Sequence, residues 1–120
     1  MNDHDALAGK LRAILADAAR RSTTLTYLEV AGAAGVGPPG AIHRVTDALE
    51  ATMREDHAAG RPLLAAAAVS AKRGGIPAPG FFRLAAELGL YFGPDHGPQA
   101  ALFHAMELER TMAAHRVTSA

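Results

Sequence analysis

Hydrophobic positions recur at helical spacing in several stretches of this chain. Residues 3 to 21 carry one inward stripe, which predicts a first amphipathic helix. Residues 41 to 57 carry a second stripe at steps of three and four, which predicts a longer helix. The first stripe consists of Leu7, Leu11, Ile14, Leu15 and Ala18, and the second of Ile42, Val45, Leu49 and Met53.

A short helix is predicted between these two. Thr26 and Glu29 have the spacing of a capping box, in which each side chain accepts a hydrogen bond from the other residue's amide. The helix is expected to begin at Tyr27 and to close at Gly35. The corner from Val36 to Gly40 follows, and one of its two prolines is expected in the first turn of the next helix. Two helices joined by such a corner have a helix-turn-helix outline.

The pattern changes after Gly60. The run from Pro62 to Ser70 predicts a buried strand, and Lys72-Arg73-Gly74-Gly75 is typical of a hairpin turn. Residues 76 to 82 would form an irregular returning arm because they contain two prolines. A helix is predicted over residues 80 to 88, then a loop to Gly97.

A last helix is predicted from Pro98 to Arg116. One stripe of this helix contains Ala101, Ala105, Leu108 and Met112, with Leu102 and Met106 next to it. This face would pack either on its own domain or on a second copy, so a homodimer through the C-terminal helix stays open.

Composition limits the fold to one domain of small-residue helix packing. The chain has 120 residues, of which 49% are hydrophobic, many of them alanine, and 5% aromatic. We therefore expect a mainly α fold with a small β-hairpin, an α+β class. The single domain, residues 1–120, would comprise an N-terminal helix (1–24), a winged-helix-like unit (25–83) and C-terminal helices (84–120).

Charge and cysteine content exclude several classes of function. The formal net charge is zero, so the global positive charge of many nucleic-acid binders is missing. The absence of cysteine excludes disulfides, thiolate metal sites and a thiol nucleophile, and it fits a cytoplasmic protein. The longest apolar run, Pro62 to Val69, is too short for a membrane span, and no signal peptide is recognised.

A family resemblance rests on residues 25 to 83. Four features follow one another here: Thr26-Tyr27 at a helix start, a proline corner, a helix containing Val45-x-x-Ala-Leu, and Pro62-Leu-Leu before a strand. This order resembles the C-terminal winged-helix domain of O6-alkylguanine-DNA alkyltransferases and alkyltransferase-like proteins. The resemblance implies that Tyr27 lies near the DNA backbone. It also implies that His43 takes the place of the arginine finger that fills the gap left by a flipped base, with Arg44 next to it.

The resemblance ends at the family's active site. Ala66, Ala67, Ala68 and Val69 stand where the family has Pro-Cys-His-Arg, so no alkyl acceptor exists. The connection before the strand is also longer than the family's, and residues 90–120 have no counterpart. We therefore expect a non-enzymatic protein.

Local charge favours DNA as a partner. Between His57 and Ala86 the chain has three arginines and one lysine but no acidic residue. The side chains expected to contact DNA are Tyr27, His43, Arg44, Lys72 and Arg73. Carboxylates at Asp47, Glu50, Glu55 and Asp56 on the second helix oppose this interpretation. The alternative is a protein-interaction module on the same scaffold.

Other chemistry is not expected. Residues 35 to 40 satisfy G-x-G-x-x-G, but adjacent prolines remove amides that would bind a pyrophosphate, so no cofactor is predicted. No two histidines have helical zinc spacing. Asp95, His96 and His104 could converge on a metal, but a helix cap and a surface histidine are the favoured interpretation. No metal site or catalytic residue is predicted.

Overall fold

Most of the described chain is α-helical. The computed structural model describes residues 3–116, and these form five α-helices and two short strands. The helices are α1 (Asp3–Arg20), α2 (Tyr27–Ala34), α3 (Ala41–Ala58), α4 (Pro79–Glu87) and α5 (Gly97–Arg116), and the strands are β1 (Leu25–Thr26) and β2 (Ala68–Val69). The predicted mainly helical fold with a small sheet is confirmed.

The start of α2 forms as its sequence predicts. The Thr26 hydroxyl accepts from the Glu29 amide at 3.1 Å, and the Glu29 carboxylate accepts from the Thr26 amide at 2.8 Å. Gly35 closes the helix with φ 73°. The position expected for a proline was wrong: α3 begins only at Ala41, after Gly40 in the left-handed conformation, so both prolines precede the helix.

The predicted strand from Pro62 to Ser70 was largely wrong. Residues Leu64–Ala67 form a 3-10 helix, and only Ala68–Val69 is extended. This strand pairs in parallel with β1 rather than in a hairpin, with Leu25 opposite Ala68. Alanines have low strand preference, and the segment is buried on every side, so no alternating pattern specifies a strand.

The predicted hairpin is reduced to one antiparallel bridge. The Ser70 amide donates to the Ile76 carbonyl at 2.9 Å, which closes the turn from Ser70 to Ile76. We call this segment the basic turn because it contains Lys72 and Arg73, which lie in a single 3-10 turn. Gly74 and Gly75 follow with φ 71° and 85°, a conformation that favours glycine.

The segment from Leu63 to Val69, which we call the central segment, lies in the middle of the core. All of its residues are buried, and its 3-10 helix contacts α1, α3 and α5. This segment is a short 3-10 helix followed by two strand residues, and the first amides of a helix have no partner within it, so these buried amides need other acceptors.

Two buried carboxylates bind the first amides of the central segment. Glu107 on α5 accepts from the Leu63 amide at 2.7 Å, and Asp56 on α3 accepts from the Leu64 amide at 3.1 Å. Arginines neutralise both carboxylates: Arg12 and Arg61 bind Asp56 at 2.9 and 3.0 Å, and Arg110 binds Glu107 at 2.7 Å. Each burial of charge is therefore compensated by a cation and by a backbone donor.

Two further side chains of α5 bind carbonyls of the central segment. The Thr111 hydroxyl donates to the Leu63 carbonyl at 2.9 Å, and His104 Nε2 lies 2.8 Å from the Ala66 carbonyl. A carbonyl only accepts, so Nε2 carries the proton. Burial lowers the pKa of His104, which favours this neutral ring.

These polar contacts explain why the hydrophobic stripe of α5 faces the core only in part. The buried residues of α5 are Ala100, His104, Glu107, Thr111 and Met112. Leu102 and Met106, which lie next to that stripe, are 62% and 61% exposed. The helix turns polar side chains inward because the backbone of the central segment requires them, and hydrophobic spacing does not record that requirement.

Replacing Asp56 by alanine tests the importance of these contacts. We expect Asp56→Ala to lower the free energy of unfolding by about 1 to 3 kcal/mol, because it leaves the buried Leu64 amide without an acceptor and removes the carboxylate that Arg12 and Arg61 bind. Urea denaturation measures the change. Asp47→Ala, which removes an exposed carboxylate of the same helix, should stay within about 0.5 kcal/mol of the parent. Equal effects of the two substitutions would contradict the assignment.

Candidate nucleic-acid interface

A groove of about 430 Å³ lies between the starts of α2 and α3 and the basic turn. We call it the α2–α3 groove. Its lining residues are Thr26, Tyr27, Leu28, Ile42, Val69, Ser70, Ala71 and Lys72. The parallel pairing of β1 with β2 creates this arrangement, because it brings the residues after β2 alongside the start of α2.

The groove combines apolar walls with a positive edge. Leu28 and Ile42 are 70% and 41% exposed, and Lys72 is the cation among the lining residues. The N-cap residue of α3 is Gly40, which makes no side-chain cap, and the first turn of the helix has no acidic residue. Its amides therefore present the positive end of the helix dipole beside Ile42.

Tyr27 lies beneath this surface. Its side chain is buried, and its hydroxyl accepts a hydrogen bond from the Ala78 amide at 2.7 Å. Burial raises the pKa of the Tyr27 phenol, so the group stays protonated. Tyr27 thus fixes the segment before α4, and its ring also forms part of the groove wall.

The two cations of the basic turn have different environments. Lys72 is exposed and lines the α2–α3 groove. Arg73 is half-buried, and its guanidinium donates to the Pro77 carbonyl at 2.9 Å and to the Asp95 carbonyl. Arg73 therefore ties the basic turn to the loop before α5, and only part of its hydrogen-bonding capacity faces outward.

The two predicted residues on α3 point in different directions. His43 is exposed, and its Nε2 lies 3.3 Å from Asp47. Arg44 is exposed but comes two residues after Ile42, which is about 200° around the helix. Arg44 therefore lies on the flank of α3 away from the groove. Of the five predicted residues, the structure brings Tyr27 and Lys72 into the groove lining.

A second cavity, of about 350 Å³, lies between α3 and α4, and Tyr27 borders both. Its polar lining includes His43, Asp47, Glu50 and Arg83, above an apolar floor that includes Met53 and Phe81. Glu50 reaches over Gly80, where an added Cβ would lie 2.9 Å from the carboxylate. Sequence reasoning missed this cavity, because it joins residues from distant segments without a motif. Its carboxylates do not favour phosphate.

The residues weighed as a metal site are not brought together. Asp95 contacts His96 at 3.0 Å, and this hydrogen bond lowers the pKa of Asp95. His104 instead faces the Ala66 carbonyl in the core. Within residues 3–116, no group of three or more histidine, aspartate or glutamate side chains is placed to hold a metal ion. The glycines at 35 and 40 end α2 and precede α3, as an inter-helical corner requires.

Comparisons with protein-family models, curated proteins and solved structures gave no match for this chain. The resemblance to alkyltransferase winged-helix domains therefore stays a prediction. Among the helices described, none has both the length and the apolar character needed to cross a membrane.

Tyr27→Phe tests the structural role of the Tyr27 hydroxyl. It leaves the ring in the groove wall but removes the acceptor of the Ala78 amide, so we expect a loss of about 1 to 2 kcal/mol in the free energy of unfolding. Chemical denaturation measures it. Leu28→Ala changes the neighbouring, exposed side chain and should alter stability by less than about 0.5 kcal/mol. Unchanged stability in Tyr27→Phe would show that the hydrogen bond contributes nothing.

Proposed function

We propose that this chain is a non-catalytic, winged-helix-like protein that binds double-stranded DNA weakly through the start of α3 and the basic turn. The main support is that Ile42 on α3 and Lys72 on the basic turn line the same groove. The start of α3 and the basic turn border one groove, and this supports the proposal that both contact one duplex.

Positive charge at this surface comes from two sources, and a third lies outside the groove. Lys72 is exposed at the groove, and the amides at the start of α3 lie across the groove from it. Arg44 adds a charge on the flank of α3, where it would reach the neighbouring backbone strand. The resemblance to alkyltransferase winged-helix domains implies the same partner, without the alkyl acceptor.

Opposing charges limit the affinity. Asp47 and Glu50 follow the start of α3 and line the second cavity, where their carboxylates repel phosphate. The net charge of the chain is zero, so it adds no long-range attraction for DNA. Each phosphate neutralised contributes about −0.9 to the slope of log K against log salt. With Lys72 and Arg44 as the exposed cations, we expect a slope of about −2 and weak binding.

A protein partner at the same groove is the second candidate. Exposed Leu28 and Ile42 give the groove apolar walls that an apolar side chain of a partner would cover. Such binding would be nearly independent of salt and would be weakened by Leu28→Glu more than by Lys72→Ala.

The DNA proposal predicts a specific salt response. Fluorescence anisotropy of a labelled duplex should show weaker binding at about 200 mM than at about 50 mM salt. Lys72→Ala and Arg44→Ala should each weaken binding and reduce the magnitude of the salt slope by about 1.

Lys10→Ala is the matched control, because it removes one exposed cation of α1 outside the groove lining. It should leave the slope unchanged. Absence of binding at low salt, or equal effects of Lys72→Ala and Lys10→Ala, would refute binding through this surface.

A further inference from the structure

The outer face of α5 carries exposed hydrophobic side chains. We use this name for Pro98, Ala101, Leu102, Ala105, Met106 and Glu109, which lie on the side of the helix away from the core. Leu102 and Met106 are more than half exposed, although they belong to the residue types that are usually buried. They are adjacent at helical spacing, so they form a continuous strip.

The charges of this face are arranged at its two ends. From Gly97 to Met106 the helix has no aspartate, glutamate, lysine or arginine, and its one histidine, His104, is buried. The first turn has no acidic residue, so the positive end of the helix dipole is not neutralised within that turn. Glu109 lies at the other end of the strip. The face therefore has a partial positive end, an apolar centre and a negative end.

We propose that the outer face of α5 binds the same face of a second copy of this chain in antiparallel orientation. A twofold axis between Leu102 and Ala105 places Leu102 opposite Ala105 of the second copy, with Met106 on one flank of the contact and Ala101 on the other. Large side chains then meet small ones, which permits close helix packing. The same axis brings Glu109 to Pro98 in the first turn of the other α5, and symmetry makes this contact twice.

The charges on this face favour the antiparallel orientation and a second copy of the chain as the partner. A parallel pair would oppose Glu109 to Glu109 and align the two helix dipoles, whereas the antiparallel pair places each Glu109 at a positive helix end. One face supplies both complementary ends, as a self-association surface requires. The zero net charge of the chain removes long-range repulsion between copies.

Neighbouring charges are compatible with this pairing. Glu109 contacts Arg116 at 2.8 Å, but Arg116 is two turns further on, beyond the first turn of the opposing helix. Asp95 precedes α5, and its carboxylate contacts His96 at 3.0 Å. A single helix pair buries less than the roughly 800 Å² per partner of a standard interface, so the dimer is weak and depends on concentration.

Sedimentation velocity over a range of concentrations tests the association. The full chain should shift from monomer towards dimer as concentration rises, and Leu102→Glu with Met106→Glu should abolish the shift. Leu28→Glu is the matched control, since Leu28 is similarly exposed but lies on α2. Its association should equal that of the parent. A parent chain that stays monomeric, or a shift that survives the double substitution, would overturn the proposal.

Cysteine cross-linking tests the orientation, because the natural sequence contains no cysteine. Pro98→Cys and Glu109→Cys are prepared as separate proteins, and each is oxidised alone and in an equimolar mixture. The antiparallel pair predicts a mixed disulfide as the main product of the mixture and little disulfide with either protein alone. Rapid cross-linking of Glu109→Cys with itself would refute the antiparallel arrangement.

The proposed dimer does not depend on the proposed DNA binding, although a dimer would present two basic turns. Loss of DNA binding in Lys72→Ala with unchanged sedimentation would leave the dimer intact. If the chain stays monomeric and binds DNA with the expected salt slope, the dimer proposal is refuted and the DNA proposal is not.

Discussion

The fold depends on the hydrogen bonding of the buried central segment, a short 3-10 helix and two strand residues whose first amides have no partner within the segment. The central segment crosses the core with its alanines fully enclosed, and water cannot reach its amides and carbonyls. Asp56 and Glu107 accept from its first two amides, and Thr111 and His104 bind its carbonyls. Helices α3 and α5 are thus joined through the backbone between them.

This constraint also positions the candidate site. Because the central segment is fixed at Leu63 and Leu64, its far end emerges beside β1, where Ala68 and Val69 pair with Leu25 and Thr26. The basic turn follows directly, so Lys72 lies across a groove from the start of α3. The contacts of Tyr27 and Arg73 with the residues before α4 hold the other side of the turn. Tyr27 and Arg73, which the sequence predicts as DNA contacts, therefore also have a structural role.

Local signals in the sequence were sufficient to predict where α2 begins and ends. The capping box of Thr26 and Glu29 and the glycine at 35 gave the bounds of α2, because their hydrogen bonds lie within a few residues. The face of α5 and the path of the central segment could not be predicted in this way. Both depend on contacts such as that of Glu107 with Leu63, which are 44 positions apart. Periodicity treats Glu107 as a residue of the polar side of α5, so it does not indicate that this side chain is buried. The α2–α3 groove likewise depends on a parallel strand pair that no local motif encodes.

Hydrogen exchange at the amides of Leu63 and Leu64 tests the central claim most directly. If carboxylates bind these amides within the core, both should exchange only on global unfolding, as slowly as the slowest amides of α1 and α3. Exchange as fast as that of the exposed Lys72 amide in the basic turn would contradict the account, because these backbone groups would then be open to water.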